Sequence, residues 1–331
     1  MKIASKILIV AVAFAFATTF ALSVDTPDSF AKPIKIRIGH VNQPGSLRAR
    51  LTKLYTILAK QRLGDKVEFE IFGGGTLGGY KEMFEMVKTG SLECVAESIG
   101  TLEPWSPLGG IEAVPYLYRD LNDFRKFWRS PLAREFLDQL AKESGFVFIG
   151  VHWPGFKVLT TRKPVRTPED LKAIKLRVPN MPTFISSWKA MGANVTPMAF
   201  VEVFSALQQG VIDGQNNTLS TSYDSGFGEV CKYIVLTDDT VEPLGWIYDA
   251  KYFSSLPADV QKGLKEAAAE AGHWHELSIL LSNAEYIEKF KRQGCKIIVP
   301  DRKAFMEKAK NARYNPELQE WVEKIRQYMG T

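Results

Sequence analysis

The sequence predicts an α/β protein with two lobes, each a mixed, mostly parallel sheet flanked by helices, and one long helix spanning both lobes. Three observations support this prediction. About 300 residues remain after an N-terminal leader, which is more than one compact hydrophobic core usually holds. Strand, helix and strand patterns follow one another at lengths that indicate parallel pairing through right-handed crossovers. A helical pattern from Pro257 to about Gln293 is longer than most globular helices, and Gly294 ends it.

The first residues have the pattern of a cleaved secretory signal. A short basic start precedes an apolar stretch from Ile7 to about Leu22, and small or polar residues follow. Residues 1–23 are therefore predicted to be a signal peptide cut after Ser23, with a cut after Ala31 as the alternative. A membrane anchor is disfavoured because the apolar run is shorter than the roughly 20 residues that a span needs. The expected location is the periplasm.

The first lobe is expected to begin with a strand at Ile34–Gly39, where apolar and basic residues alternate. A helix over Leu47–Gln61 follows, because its leucines recur at helical spacing. Val67–Phe72 alternates as a second strand, and the apolar run Phe146–His152 is predicted to be a buried strand.

The second lobe is expected to follow a turn at Trp153–Lys157. Thr167 then precedes a proline and two acids, a pattern typical of a helix start. Lys175–Val178 is predicted to be a strand, Val201–Gln209 a helix closed by a glycine, and Val211–Gln215 the next strand.

The chain is expected to cross back to the first lobe near Glu242–Gly245. The predicted first lobe comprises residues 32–153 and 243–282, and the predicted second lobe comprises residues 154–242 and 283–331.

The composition is that of an ordinary globular protein, with 45% hydrophobic and 24% charged residues. Cleavage of the leader removes Lys2 and Lys6 and no acidic residue, which leaves a mild basic surplus. Because no dense basic block with interleaved aromatic residues is present, nucleic-acid binding is disfavoured.

Cysteine and histidine patterns indicate neither a metal site nor redox chemistry. Cys94, Cys231 and Cys295 are widely spaced and are expected to be packing residues, although an exported chain can join two of them and leave one free. His273 and His275 are two apart, so on a helix they point to different faces. No cofactor, metal or placed nucleophile is predicted.

Three short motifs occur in order in the middle of the chain: KLRVPN at 175–180, PMAF at 197–200 and DGQNN at 213–217. They place Arg177 near a strand end, where its planar fork of donors can hold a carboxylate in two parallel bonds. Asn217, just past the predicted strand, and Phe200 can add an amide contact and an apolar wall, a mixture typical of small-molecule pockets.

These motifs, in this order, resemble those of the extracytoplasmic solute receptors of TRAP transporters. The likeness covers nearly the whole mature chain and extends to TLGGYKEM at 76–83, VKTGSLE at 87–93, AES at 96–98, VPYLYRD at 114–120 and TPEDLK at 167–172. Each motif alone is weak, whereas their joint order is a strong signal. The resemblance implies a venus-flytrap receptor whose two lobes close on an organic anion.

The resemblance also assigns roles to single residues. Arg177 matches the family's central carboxylate-binding arginine, and Asn217 and Phe200 match residues that line its pocket. Glu97 and Asn180 match positions near the ligand in sialic-acid receptors. A glutamate repels an anion, so Glu97 is expected to accept hydrogen bonds from a ligand hydroxyl or amine, or to pair with a basic residue.

Three further positions are predicted to contact the ligand. Lys157 stands where many family members have a second arginine, and it keeps the charge but not the bidentate fork. Trp153 can stack on a ligand, or it is a core or hinge aromatic. Tyr80 replaces a more usual polar residue and predicts a less polar pocket than one for a small dicarboxylate.

The predicted function is that of a monomeric receptor, not an enzyme, that binds a small organic anion and delivers it to the small and large membrane subunits of a TRAP transporter. The alternative is an exported enzyme that uses Glu97 as a general acid or base. C4-dicarboxylates, keto acids, sugar acids, aromatic acids and sulfonates all remain open as ligands.

Overall fold

Two β-sheets organise the chain, in a computed structural model that describes residues 32–330. The predicted signal peptide and both of its cleavage positions lie outside the described residues. The strands are β1 (Ile34–Gly39), β2 (Val67–Phe72), β3 (Cys94–Ser98), β4 (Phe146–His152), β5 (Lys157–Thr161), β6 (Lys175–Val178), β7 (Asn194–Pro197), β8 (Gly214–Thr218), β9 (Tyr233–Val235), β10 (Leu244–Asp249) and β11 (Lys296–Ile298).

Each sheet is mostly parallel and contains one strand that runs against both of its neighbours. The first sheet has the order β2-β1-β3-β10-β4, and β10 is antiparallel to β3 and β4. The second sheet has the order β11-β9-β5-β8-β6-β7, and β5 is antiparallel to β8 and β9. The chain enters the second lobe from the first through β5, and it returns to the first lobe through β10. These are the two reversed strands. The predicted mixed, mostly parallel sheets are confirmed.

Helices cover both sheets. They are α1 (Leu47–Leu63), α2 (Tyr80–Lys88), α3 (Leu121–Trp128), α4 (Pro131–Ser144), α5 (Pro182–Ala190), α6 (Val203–Gln209), α7 (Leu219–Asp224), α8 (Phe227–Val230), α9 (Ala250–Ser255), α10 (Ala258–Arg292), α11 (Arg302–Ala309) and α12 (Pro316–Met329). Short 3-10 helices lie at 64–66, 99–102, 107–113, 168–173 and 200–202. Among residues 32–330, no helix combines the length and the apolar character that a membrane crossing requires.

The longest helix, α10, has 35 residues and packs against both lobes. It contacts α1 and β4 of the first lobe and α7 and β11 of the second. Gly294 follows it with a positive φ of 80°, a conformation that glycine adopts without strain. The predicted interlobe helix and its glycine stop are therefore observed.

Two crossing segments lie side by side between the lobes. A bridge pairs Phe156 with Val241, and the Lys157 N–H donates to the Thr240 carbonyl at 2.9 Å. Together with α10, these segments form the connection about which two lobes can move.

Two local predictions differ from the structure. Thr167 precedes a 3-10 helix at 168–173 rather than an α-helix. The strand predicted at 211–215 begins instead at Gly214, because the preceding residues close α6: the Val211 N–H donates to the Ala206 carbonyl at 2.9 Å. Asn217 therefore lies within the last part of a strand and not beyond it.

The C-terminal helix departs from the predicted lobe boundary. Residues 283–331 were expected in the second lobe, but α12 packs on the core of the first lobe. The Trp321 ring meets Phe136 edge-on at 5.2 Å, and its indole N–H donates to Gln139 at 3.0 Å. The apolar stripe of α12 covers a surface left by α3 and α4, so the chain returns to the first lobe before it ends.

All three cysteines are buried free thiols, as the packing prediction required. Burial raises the pKa of each thiol.

Candidate functional site

Arg177 is a buried cation whose contacts leave part of its guanidinium available. It lies in β6, its residue is 3% exposed, and its Nε and NH2 groups donate to the Met198 carbonyl at 3.1 and 2.8 Å. Two of five N–H donors are used in this way, and two of the remaining three lie on the NH1 and NH2 edge that suits a carboxylate. Its Cζ lies 6.0 Å from the centre of the Phe200 ring.

No carboxylate among the described residues forms an ion pair with this side chain. The buried lysine and arginine side chains of residues 32–330 are Arg48, Lys157 and Arg177, and Arg177 is the one without an ion pair. Burial lowers the pKa of Arg177 to about 10, so the side chain stays charged at neutral pH. A buried cation without an ion-pair partner is costly unless an anion binds beside it.

A small cavity between the lobes contains this guanidinium. Its volume is about 30 Å³, space for about two water molecules. Residues 42–112 contribute Asn42, Arg48, Tyr80, Glu97, Ser98, Thr101 and Glu112; residues 157–221 contribute Lys157, Arg177, Pro179, Met181, Phe200, Asn217 and Thr221; and Glu242 comes from a crossing segment.

Arg48 is paired with two carboxylates at one wall of the cavity. Its NH1 group lies 3.3 Å from Glu97 Oε1 and 3.3 Å from Glu242 Oε1, and its NH2 group contacts Glu242 Oε2. Burial opposes the charge of Glu242, but the cations Arg48 and Lys157 outweigh it and lower the pKa of that carboxyl. Burial likewise opposes the charge of Arg48, and its two carboxylate partners raise its pKa above the usual value.

Lys157 and Glu112 form a second buried pair. Lys157 Nζ donates to Glu112 Oε1 at 2.9 Å and lies 4.4 Å from the centre of the Phe184 ring. The other oxygen of Glu112 accepts from the Gly100 N–H at 2.9 Å. Lys157 thus reaches the cavity as predicted, but as a paired cation rather than a free anion clamp.

Only one of the two carboxylate oxygens of Glu97 has hydrogen bonds of normal geometry. Oε1 accepts from the Ser98 N–H at 3.0 Å and from Arg48, whereas the buried Oε2 has no hydrogen bond of normal geometry. Burial raises the pKa of Glu97 to about 7, with Arg48 opposing the rise and Glu242 adding to it.

Six of the eight predicted ligand contacts line the cavity. These are Arg177, Asn217, Phe200, Lys157, Glu97 and Tyr80. In the same order, these residues belong to β6, β8, the 3-10 helix at 200–202, β5, β3 and the start of α2. All six elements meet at the facing edges of the two sheets. The Asn217 amide also donates to Gln215 Oε1 at 3.0 Å, which fixes its orientation.

Asn180 and Trp153 are the two predicted contacts that the structure places elsewhere. Asn180 is exposed, because its neighbours Pro179 and Met181 turn toward the cavity and direct it to the other side. The buried Trp153 ring packs edge-on against Phe124 at 5.2 Å and Phe156 at 4.8 Å. Trp153 is a core aromatic beside the crossing segment, which was the alternative interpretation.

The sequence interpretation missed Arg48, Glu112 and Glu242. One signal for Arg48 was available: it stands in the first turn of α1, which has no acidic residue there, although cations are disfavoured at a helix N-terminus. A residue that is unfavourable for its local structure, as a cation is at a helix N-terminus, often has a functional role.

A two-lobed α/β fold with a charged cavity between its lobes is the arrangement expected of a solute-binding protein. The sequence matches the family described as "Bacterial extracellular solute-binding protein, family 7" over residues 38–318, and the chain belongs to this family. The resemblance to TRAP solute receptors is thereby confirmed.

Three relatives illustrate the likeness. A solute-binding protein of Verminephrobacter eiseniae is 31% identical over 242 residues, which are 72% of this chain and 71% of the relative. A TRAP periplasmic solute-binding protein of Roseobacter denitrificans with bound L-galactonate superposes with a TM-score of 0.84 at 27% identity, over 89% of this chain and 99% of that one. A second TRAP periplasmic solute-binding protein, from Ochrobacterium anthropi with bound L-fuconate, superposes with a TM-score of 0.82 at 30% identity, over 90% of this chain and 99% of that one.

Proposed function

We propose that this chain binds a hydroxylated organic acid of the sugar-acid class in the interlobe cavity and delivers it to TRAP membrane subunits. The observation that carries the proposal is the buried Arg177 guanidinium, which has donors to spare and no carboxylate partner. A ligand carboxylate on its NH1 and NH2 edge supplies the ion-pair partner that Arg177 lacks. L-galactonate and L-fuconate, the ligands of two related structures, are carboxylates of this class.

The rest of the cavity suits the hydroxyl groups of such a ligand. Asn217, Thr101 and Thr221 offer amide and hydroxyl groups, and Glu97 Oε2 has no hydrogen bond of normal geometry. Tyr80 and Phe200 supply the apolar surfaces on which the carbon faces of a sugar acid can pack.

Binding is tested by thermal shift and calorimetry with L-galactonate, L-fuconate and succinate. We expect at least one sugar acid to bind, and a ligand at 100 times its dissociation constant stabilises the folded state by about 2.7 kcal/mol. The matched neutral sugars L-galactose and L-fucose should bind at least about 100-fold more weakly, because they leave Arg177 without an ion-pair partner. Equal affinity for the acid and its neutral sugar contradicts the proposal.

We infer that the cavity binds without chemistry, although the raised pKa of Glu97 favours the alternative of an exported enzyme with a general acid. The two are separated by incubation of the protein with a bound sugar acid and recovery of the ligand. Unchanged ligand, recovered in stoichiometric amount, supports the receptor; a product that accumulates beyond one equivalent supports the enzyme.

We also infer a periplasmic, monomeric protein that meets its transporter in the membrane. Support comes from the family and from the predicted signal peptide. Light scattering of the mature chain should give the mass of one copy, and transport by the reconstituted membrane subunits should depend on its addition. A stable dimer, or transport that proceeds without this chain, contradicts these inferences.

A further inference from the structure

The six ionisable side chains around the cavity have formal charges that sum to zero when all of them are ionised. Three cationic side chains and three carboxyl side chains line it, namely Arg48, Lys157, Arg177, Glu97, Glu112 and Glu242. All six residues are buried. An organic anion that enters this closed space therefore adds one buried negative charge for which no seventh side chain compensates, and such a charge is costly in a low-dielectric interior.

The hydrogen bonds show which of the three carboxyl groups is least stabilised in its ionised form. Glu242 engages Arg48 through both oxygens, and Glu112 accepts from Lys157 on one oxygen and from the Gly100 N–H on the other. Glu97 alone among the three has an oxygen, Oε2, without a hydrogen bond of normal geometry.

The groups around Glu97 come from four elements. Arg48 of α1 favours its charged form, whereas Glu242 of the crossing segment disfavours it. Tyr80 of α2 lies beside it and favours its charged form, and the pKa of Tyr80 itself is raised by burial and by this carboxylate. The Ser98 N–H on β3 favours the charged form. Burial exceeds these opposing influences and raises the pKa of Glu97, so its protonation is within reach near neutral pH.

We propose that Glu97 takes up one proton when an organic anion binds against Arg177, so that a neutral Glu97 completes the charge balance and donates a hydrogen bond from Oε2 to a ligand oxygen. The inference rests on the proposed function. The proton comes from solvent during closure, no covalent bond to carbon is made or broken, and release of the ligand returns the proton. Ligand affinity is thereby coupled to pH.

Calorimetry of the wild-type protein tests this directly. L-galactonate and L-fuconate are titrated at pH 7, 8 and 8.5 in Tris and in HEPES, and at pH 6 in MES and in Bis-Tris. The two buffers of each pair differ in ionisation enthalpy, so that the difference in heat counts the protons taken up. We expect close to one proton per ligand at pH 8.5 and little uptake at pH 6, where Glu97 is already neutral in the free protein. The dissociation constant should rise by up to about tenfold per pH unit above pH 7.

Variants assign the proton to its residue. Glu97→Gln carries a permanent donor in place of the acid, so proton uptake and the pH dependence of affinity should both disappear. Glu68→Gln, an exposed glutamate on β2, is the matched control and should keep the wild-type uptake. If Glu97→Gln does not fold, the wild-type titration still decides whether a proton is taken up.

The outcomes separate this inference from the proposed function. Binding with equal heats in both buffers at pH 8.5, or uptake that persists in Glu97→Gln, overturns the proton linkage alone. Absence of binding by every acid in every buffer overturns the proposed function, and this inference with it.

Discussion

At the scale of single residues, Arg177 stands out because its placement serves binding at the expense of stability. Its neighbours give it one carbonyl to bond and no carboxylate. The sequence predicted Arg177 as a binding residue through its motif and through the resemblance to TRAP solute receptors, because both depend on the function of this position. It could not predict that Arg48 would bind Glu97 and Glu242, because those three residues are far apart in the chain and meet only in the folded cleft.

Replacement of Arg177 by methionine should have opposite effects on stability and binding. Arg177→Met removes a buried charge that has no ion-pair partner and should raise the free energy of unfolding of the ligand-free protein by about 1–3 kcal/mol. The same change should weaken sugar-acid binding by about 100-fold or more. Urea unfolding and calorimetry measure the two effects, with the exposed Arg134→Met as control. A destabilised variant that still binds normally contradicts this view of Arg177.

The raised pKa of Glu97 predicts a pH dependence of stability. In the ligand-free protein Glu97 holds its proton up to about pH 7, whereas in the unfolded chain it loses it near pH 4.5. The folded state therefore binds more protons between these values, and the contribution of Glu97 to stability falls as the pH rises from about 4.5 to 7 and then levels off.

Urea unfolding of wild type and Glu97→Gln at pH 5, 6, 7 and 8 measures this contribution. The stability of the variant relative to wild type should increase from pH 5 to pH 7, by about 1–3 kcal/mol. The comparison cancels the titration of other groups, including the buried His152 and His275, whose pKa values burial lowers. A difference that stays constant across this range shows that Glu97 is ionised throughout.

At the scale of elements, the sequence predicted regular segments better than their ends. The strands at 34–39, 67–72, 146–152 and 175–178 were located by alternation or apolar runs. The strand after α6 was placed too early because Val211 and Ile212 have strand-like side chains, yet Val211 is 49% exposed and its N–H closes the helix. Backbone pairing, which the sequence does not display, decided where β8 begins.

One contact joins elements of different lobes at a helix start. Asp224, the last residue of α7, accepts from the Leu47 N–H of α1 at 2.9 Å, beside the usual cap in which Ser46 Oγ accepts from the Ala49 N–H. The carboxylate lies at the positive end of α1, where a negative charge is favourable. This bond can hold the two lobes together on the cavity side.

Asp224→Ala should therefore loosen the closed arrangement. We expect a loss of about 1 kcal/mol in the free energy of unfolding and a larger radius of gyration by small-angle scattering without ligand. Asp120→Ala is the matched control, because Asp120 caps α3 within one lobe by accepting from the Asn122 and Asp123 N–H groups. It should cost similar stability and leave the radius of gyration unchanged. An equal radius for both variants contradicts a role for Asp224 in holding the lobes.

At the scale of the whole molecule, two sheets, two crossing segments and one long helix define two bodies that meet at the site. The sequence predicted this division from chain length and from the long pattern that became α10. The sequence did not predict that α12 returns to the first lobe. Its amphipathic pattern indicates that α12 packs on an apolar surface, but does not identify that surface.

The small size of the cavity implies that the lobes separate for ligand entry. A space of about 30 Å³ enclosed mostly by buried side chains does not admit a sugar acid. We expect the ligand-free protein in solution to sample open arrangements and a saturating sugar acid to reduce its radius of gyration in small-angle scattering. A radius that is the same with and without bound ligand contradicts closure about the crossing segments.

The most direct test of the account is a crystal structure of the protein with L-galactonate or L-fuconate, whichever binds more tightly. The account predicts that the ligand carboxylate forms two parallel hydrogen bonds of about 2.7–2.9 Å with the NH1 and NH2 groups of Arg177, while its Nε group still donates to the Met198 carbonyl. A carboxylate bound elsewhere in the cleft, with Arg177 in contact only with ligand hydroxyl groups or solvent, contradicts it.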